Sequence, residues 1–378
     1  MAKKKQKTNL RGLTVSQDSV FKSFINGDNI FLTGKGGTGK SYLTRYIISW
    51  CQRHGRNVLC CAPTGVAANN IGGSTIHRTF KASPGIIEPS NAGKTSRCYD
   101  KKKLEIIEKA DVVIIDEISM CRIDLWEYVA NTLLWCQRRK QLLVVGDFFQ
   151  LPPPLNSKEA AAFSELYGNK LYAFESDTWA KLNLRTMELQ ESMRQKDENF
   201  ISALDNIREG KPDFGIFDTV SPPDPEAITI CSLNDEAKKE NEKQFDSLCH
   251  QTGRSDIVFR AIEKGEVSKE DYTGEKELHL CIGARVMMLV NDKDGGYVNG
   301  SLGRVADISM AGTVSVLIDG HRAPVIVERY KWSVPEYSIE EDDKGRTKLV
   351  IRERGTIEQF PVKLAWATSI HKSQGQTY

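Results

Sequence analysis

Excess charge, long apolar runs and ligand-like cysteine spacing are all missing from this sequence. Its 52 basic residues nearly balance 50 acidic ones, for a net charge of +2. A chain-wide polycation is therefore excluded, and any polyanion must sit in a local groove made by arrangement of charges. No apolar run approaches the length of a membrane span, and the start, "MAKKKQKTNLRG", has no apolar signal region. Residues 1–13 read as a basic flexible tail. The nine cysteines stand singly apart from Cys60 and Cys61, with no C-x-x-C and no Cys/His cluster at zinc spacing. That usage predicts reduced thiols in a cytoplasmic compartment and no metal site built from protein ligands alone. Solenoid repeats and long low-complexity segments are absent as well. What remains is an ordinary globular composition, 40% hydrophobic and 27% charged, in 378 residues, enough for two or three domains.

Short apolar runs alternate with helical patterns through the first 220 residues. Candidate strands are "NIFLT" (29–33), "NVLCCA" (57–62), "DVVIID" (111–116), "QLLVVGD" (141–147) and "RTMELQ" (185–190). Between the first two, Leu43, Ile47, Trp50 and Cys51 recur at helical spacing. Such alternation predicts a mostly parallel sheet with helices on both faces. "SPPDPE" (221–226) reads as a domain boundary, because proline continues neither a helix nor a central strand. A second α/β pattern follows, with "AITICSL" as strand, "DEAKKENEKQFDSL" as helix and "ARVMMLVN" as strand. From 301 to 360, short β runs parted by Gly, Asp and Lys predict a small antiparallel barrel. "VKLAWATSI" then returns to a buried strand, so the barrel reads as an insertion in the second α/β domain.

The chemistry starts at "GKGGTGKS" (34–41), which fits G-x-x-x-x-G-K-[ST] between a predicted strand and a predicted helix. Chance produces that pattern in roughly one chain in a hundred of this length. Gly36, Gly37, Thr38 and Gly39 let backbone N–H groups close around phosphate oxygens at the positive end of a helix. Lys40 reaches the β- and γ-phosphates, and the Ser41 hydroxyl is a ligand for Mg²⁺. "VVIIDEIS" (112–119) ends a strand in Asp116 and Glu117, at the edge where ligands bind in open α/β sheets. Asp116 is the second metal residue, and Glu117 orients or deprotonates the attacking water. In "GDFFQLPPP" (146–154), Gln150 is placed to bridge the γ-phosphate and a moving element. Arg194, in "ELQESMRQKD", is a candidate for stabilising transition-state charge, a role that adds roughly 10³–10⁵ in rate. Phe80 and Tyr297 stay open between base stacking and core packing.

The order of these blocks resembles superfamily 1B DNA helicases. The chain is most similar to the Pif (petite integration frequency) family, with the RecD-like helicases next. The matching pieces run from 14 to 378: "SQDSVF…NIFLTGKGGTGKS", "CAPTGVAANNIGGSTIHRTF", "VVIIDEISM", "VVGDFFQLPPP", "FESDTWAKLNLRTMELQESMRQKDENF", "GARVMMLVND…YVNGSLGRV" and "LAWATSIHKSQGQT". The resemblance implies an α/β fold of two RecA-like P-loop domains. Domain 1A spans 14–220 with a wedge, 1B, at about 80–103. Domain 2A spans 221–300 plus 361–378, and the barrel 2B spans 301–360. It implies that Gln17 reads the adenine and that Arg194 is an arginine finger. It also implies single-stranded DNA contacts at Pro63, Thr64, Gly65, Thr75 and His77, matched by Asn299, His371, Lys372, Ser373 and Gln374.

The implied activity is ATP-dependent 5′ to 3′ translocation with duplex unwinding, in replication, repair or recombination. ATP and Mg²⁺ are the implied cofactors. Single-stranded DNA and single-strand/duplex junctions are the implied partners of a monomer that touches no membrane. The stretch between "DEISM" and "VVGDFFQ" lacks the longer signature of eukaryotic Pif relatives, which suits a cytoplasmic bacterial or phage-like member; a nuclear or mitochondrial site follows only for a eukaryotic source. The family's closing run, ending Ala-Leu-Ser-Arg, is absent beyond "HKSQG", so 2A is expected to be incomplete and turnover slow. The alternative function is an ATP-gated single-stranded DNA clamp that does not unwind. A generic P-loop switch or small-molecule kinase is disfavoured by "HKSQGQT" and the second α/β domain.

Overall fold

The computed structural model describes residues 12–82, 85–88, 101–155, 157–191, 197–212, 214–215, 227–267, 272, 274–292, 294–309, 312–341 and 347–370. The chain divides into two compact units, Met1–Ile216 with Pro335–Arg352, and Phe217–Val334 with Glu353–Tyr378.

The first unit runs α1 (Val15–Ile25), β1 (Ile30–Gly34), α2 (Lys40–Arg53), β2 (Val58–Ala62), α3 (Gly65–Asn70), β3 (Ser74–Thr75) and α4 (Ile76–Phe80). It continues with α5 (Lys101–Lys109), β4 (Val112–Ile115), α6 (Ile123–Trp135), β5 (Gln141–Val145), α7 (Ser157–Tyr167), α8 (Asp177–Lys181), β6 (Arg185–Leu189) and α9 (Glu198–Arg208). The six strands form one sheet in the order β3-β2-β4-β5-β1-β6, every pairing parallel. Side chains alternate across a strand, so residue parity decides the face. Phe31, Leu59, Cys61, Val113, Ile115, Leu142 and Val144 face Ile107 of α5 and Trp126, Val129 and Leu133 of α6. Ile30, Leu32, Cys60, Val112, Ile114, Leu143 and Val145 face Phe21 and Phe24 of α1 and Leu43, Ile47 and Cys51 of α2. β4 and β5 are buried along their whole length, as expected of parallel strands covered on both faces. Each fully buried Leu, Ile or Phe contributes about 1.5–3 kcal/mol. α1 is fixed at its start by a reciprocal cap between Thr14 and Gln17.

The second unit holds β7 (Thr229–Cys231), α10 (Asn234–Thr252), β8 (Ile257–Arg260), β9 (Ile262–Gly265), β10 (Glu277–Leu280) and β11 (Arg285–Met288). β12 (Leu302–Ile308), β13 (Val314–Ile318), β14 (Val325–Val327), β17 (Val362–Leu364) and β18 (Ala367–Ser369) follow, with the parts of β15 (Tyr330–Glu341) and β16 (Thr347–Gln359) outside Pro335–Arg352. β14-β13-β12-β11-β17 form an antiparallel sheet, β15-β16-β9 a second, and β10-β8 a two-stranded one. β7 and β18 pair in parallel under α10, whose Asn241 amide both donates to and accepts from the Ala367 backbone.

Three strand expectations change here. "VKLAWATSI" is not one strand. Ala365 N–H bonds Arg285 O at 2.9 Å and Trp366 O accepts Thr229 N–H at 2.8 Å, so the backbone passes from the antiparallel sheet to the parallel pair between them. "ARVMMLVN" belongs to that antiparallel sheet as β11, paired with β12 and β17. All four β11 residues are buried, and a two-sidedly buried apolar run looks alike in either kind of sheet. "TKLVIRER" and "TIEQF" fuse into β16, because Gly355 is no turn. It opposes Gly265, where a Cβ would lie 2.7 Å from Glu266 O, so the glycine marks a close approach of two backbones.

Candidate active site

In a parallel sheet every strand ends on one edge, and strand order sets the order of sites along it. Thr75 lies at the β3 tip, Pro63, Thr64 and Gly65 after β2, and Asp116 and Glu117 after β4. Asp147 and Gln150 follow β5, the phosphate loop follows β1, and Glu191 follows β6. Three strand spacings, about 14 Å at about 4.8 Å each, separate the phosphate loop from the β2 tip. The two acidic tips lie between them.

Gly39 caps α2 in the left-handed conformation (φ 87°) and supplies no side chain, so no capping group competes for the first-turn N–H groups. That leaves an anion site at the positive end of α2. Lys40 Nζ donates to Gly34 O at 2.6 Å and Lys35 O at 3.2 Å, holding the ammonium over the loop. Thr38 Oγ1 closes the turn onto Lys35 O at 2.9 Å. Burial lowers the proton affinity of Lys40, while Asp147, Glu117 and Asp116 pull it back up. Those three carboxylates and the lysine therefore share one site.

Asp116 is 7% exposed, and burial, reinforced by Glu117, pushes its carboxyl up to about 7. Its Oδ1 accepts the Glu117 N–H at 2.9 Å. Glu117 adopts a left-handed backbone (φ 51°, ψ 46°), which costs a non-glycine residue about 1–3 kcal/mol and is common where a side chain must be aimed. Among the described residues no group of three His, Cys, Asp or Glu could hold a metal. The donors present are the exposed Ser41 hydroxyl and the buried Asp116 carboxylate, both hard oxygens. Mg²⁺ fits that set, since it takes few protein oxygens and would relieve the repulsion between Asp116 and Glu117.

Sequence reasoning singled out Gln150 at the β5 tip but missed its neighbours. Gln150 Nε2 donates to Asp147 Oδ2 at 3.2 Å. Asp147 in turn takes a two-pronged bond from Arg208 of α9, at 2.7 and 2.8 Å. Arg208 lies 61 residues downstream at a helix end, and no local pattern marks it. Ser16 and Glu191 form a second missed contact: the Ser16 N–H reaches Glu191 Oε1 at 3.1 Å, and its hydroxyl bonds Oε2. That contact ties the β6 tip to the start of α1, next to Gln17. Gln17 is fully buried; its Oε1 accepts the Thr14 N–H at 3.1 Å and its Nε2 donates to Thr38 O at 3.5 Å, against the phosphate loop. Arg194 lies outside the described residues.

Pro63, Thr64, Gly65, Thr75 and His77 are half-buried on the same edge. Thr64 Oγ1 accepts the Ala67 N–H at the start of α3, and Thr75 Oγ1 accepts the Arg78 N–H as the cap of α4. Asn299 is exposed in the turn before β12, its N–H bonded to Asn291 Oδ1 at 2.8 Å. His371, Lys372, Ser373 and Gln374 lie outside the described residues. Phe80 and Tyr297 are not stacking platforms: at 0% and 8% exposure both are packed in hydrophobic cores.

The profile of the PIF1-like helicases matches residues 12–214. The ATP-dependent DNA helicase Pif1 of Bdellovibrio bacteriovorus is 30% identical over 97% of this chain and 80% of its own length. The crystal structure of Bacteroides sp Pif1 in complex with ADP-AlF4 is 31% identical, covers 97% of this chain and 84% of that one, and matches with a TM-score of 0.82. Bacteroides Pif1 bound to single-stranded DNA, with the same identity and coverage, gives 0.61. The fold is accordingly two RecA-like P-loop domains with small insertions. On this joint likeness of sequence and fold, the chain belongs to the PIF1-like helicase family.

Proposed function

We propose that this chain is an ATP-driven DNA helicase that tracks along single-stranded DNA in the 5′ to 3′ direction and opens duplex at junctions. The observation that carries the reading is the common sheet edge. The phosphate loop, the Asp147–Gln150 tip, the Asp116–Glu117 tip and the β2–β3 tips stand in that order on one parallel sheet. A change in phosphate occupancy at β1 therefore has a short path to the DNA-facing residues at β2 and β3.

Each residue has a defined task. The phosphate-loop N–H groups and Lys40 hold the β- and γ-phosphates. Glu117 orients the attacking water, and Gln150 senses the γ-phosphate. Gln17, packed under the loop, reads the adenine, and Arg194 neutralises charge developing on the γ-phosphate. Ser41 and Asp116 would hold Mg²⁺, which would supply positive charge to offset that of the phosphates. Pro63, Thr64, Gly65, Thr75 and His77 form one set of DNA contacts, with Asn299 and 371–374 as the second. The relatives solved with ADP-AlF4 and with single-stranded DNA are the precedent for both ligands. Opening one base pair costs about 1.4 kcal/mol of stacking, well within one hydrolysis event.

The test is ATP turnover with and without oligo-dT, and strand displacement on duplexes with a 5′ or a 3′ tail. Stimulation by DNA, unwinding only from the 5′ tail, and loss of both in Lys40→Ala are expected. Turnover indifferent to DNA sinks the motor reading, and unwinding from the 3′ tail reverses the polarity. Contact with about five phosphates also implies a log–log salt slope near −3.5, or roughly 100-fold weaker binding between 50 and 200 mM salt.

A further inference from the structure

α9 buries little apolar surface. Ala203 is its one buried residue among those described, while Leu204 and Ile207 are 45% and 39% exposed. Polar contacts hold it instead, and two of them reach the nucleotide site. Asp205 pairs with Lys35 of the phosphate loop at 2.6 Å. One helical turn later, on the same face, Arg208 reaches the β5 tip.

The Arg208 contact is specific in form. Its two terminal nitrogens engage both oxygens of Asp147, at 2.7 and 2.8 Å, and its guanidinium carbon stands 4.2 Å from the centre of the Phe149 ring. Asp147 is 1% exposed and also accepts the Phe149 N–H and the Gln150 side-chain amide, each at 3.2 Å. A buried carboxylate with this many donors has one orientation, and that orientation sets the Gln150 amide. A planar fork that pairs edge-on and stacks face-on is a job for arginine, which lysine cannot reproduce.

We propose that Arg208 is a positioning residue for ATP hydrolysis, setting Gln150 through Asp147, with α9 as the strap that carries it. The proposal rests on the reading of Gln150 as the group that meets the γ-phosphate. α9 begins directly after segment 192–196, which carries Arg194.

The experiment measures kcat and KM for ATP at saturating oligo-dT, with melting temperatures, for the full chain, Arg208→Ala, Arg208→Lys, Gln150→Ala and the Arg208→Ala/Gln150→Ala double variant. An amide displaced by up to an ångström loses on the order of a hundredfold in rate. Arg208→Ala is therefore expected to lower kcat about tenfold to a hundredfold with little change in KM. Arg208→Lys should not restore it, and the double variant should be no slower than Gln150→Ala alone. A normal kcat in Gln150→Ala overturns both the Gln150 reading and this proposal. A slow Gln150→Ala beside a normal Arg208→Ala overturns the proposal alone. So does a double variant whose losses multiply, and so does a fall in melting temperature with kcat intact.

Discussion

Gly146→Ala is the sharpest test of how the catalytic tips are held. Gly146 ends the β5 run and lies against the turn that follows Asp116 and Glu117. A Cβ placed there would stand 2.8 Å from Ile118 Cγ2, 2.9 Å from the Ile118 backbone nitrogen and 3.3 Å from the Ser119 nitrogen. Ile118 and Ser119 are fully buried, so the side chain cannot swing away and the backbone must move. Overpacking of this kind costs about 1–3 kcal/mol. For a unit of about 200 residues, that is a fall in melting temperature of about 2–12 °C. The moving backbone is contiguous with Glu117. A shift of about half an ångström there should lower ATP turnover about tenfold, by interpolation from the hundredfold loss for a full ångström. Differential scanning fluorimetry and steady-state ATPase at a temperature where both proteins are folded read the two effects separately. A variant that melts with the wild type and turns over at the wild-type rate would refute the idea that tight packing of the β4 and β5 tips sets the catalytic geometry.

Other outcomes are expected at the Thr75–His77 corner, proposed above to meet DNA, and in the second unit. Thr75→Ala removes the α4 cap at a cost of about 1 kcal/mol and should weaken oligo-dT binding severalfold; Thr75→Asn should recover the stability. His77→Ala should weaken DNA binding, and unaltered affinity in both alanine variants would remove this corner from the DNA path. In the second unit, Arg285 grips Asp319 at 2.7 and 2.6 Å, and that pairing holds the Asp319 carboxyl below its ordinary range. A depressed folded-state value stabilises above the unfolded value of about 3.9 and is lost as pH falls through the folded one. The stability gap between wild type and Asp319→Asn should therefore be full at pH 6 and close below about pH 4; a gap independent of pH would rule out the ion pair as its source.

Much of the catalytic unit was legible because its signals are local. A glycine-rich turn between strand and helix, and carboxylates at the end of an apolar strand, declare their chemistry within a few residues. Such positions must satisfy backbone conformation and phosphate geometry at once. The parity of "NIFLT" and "QLLVV" even separates the two core faces. The second unit was read less well. "ARVMMLVN" and "VKLAWATSI" are buried on all sides, and burial alone does not say which partner a strand has. Gly355 read as a turn because a glycine chosen for close backbone approach looks like one chosen for its φ. Phe80 and Tyr297 were ambiguous for the same reason, since an aromatic residue suits a core and a stacked base equally.

The sequence by itself determined the nucleotide chemistry, the two-domain helicase fold and the family, because these rest on short motifs in a particular order. Only the tertiary structure decided which tips are neighbours along the sheet edge, that Glu191 holds Ser16, and that Arg208 grips Asp147. Those contacts join residues 61 and 175 positions apart. A long-range ion pair leaves no periodicity in the chain; it exists because the strand order β5-β1-β6 brings distant segments to one edge, where a buried carboxylate must find its partner in space.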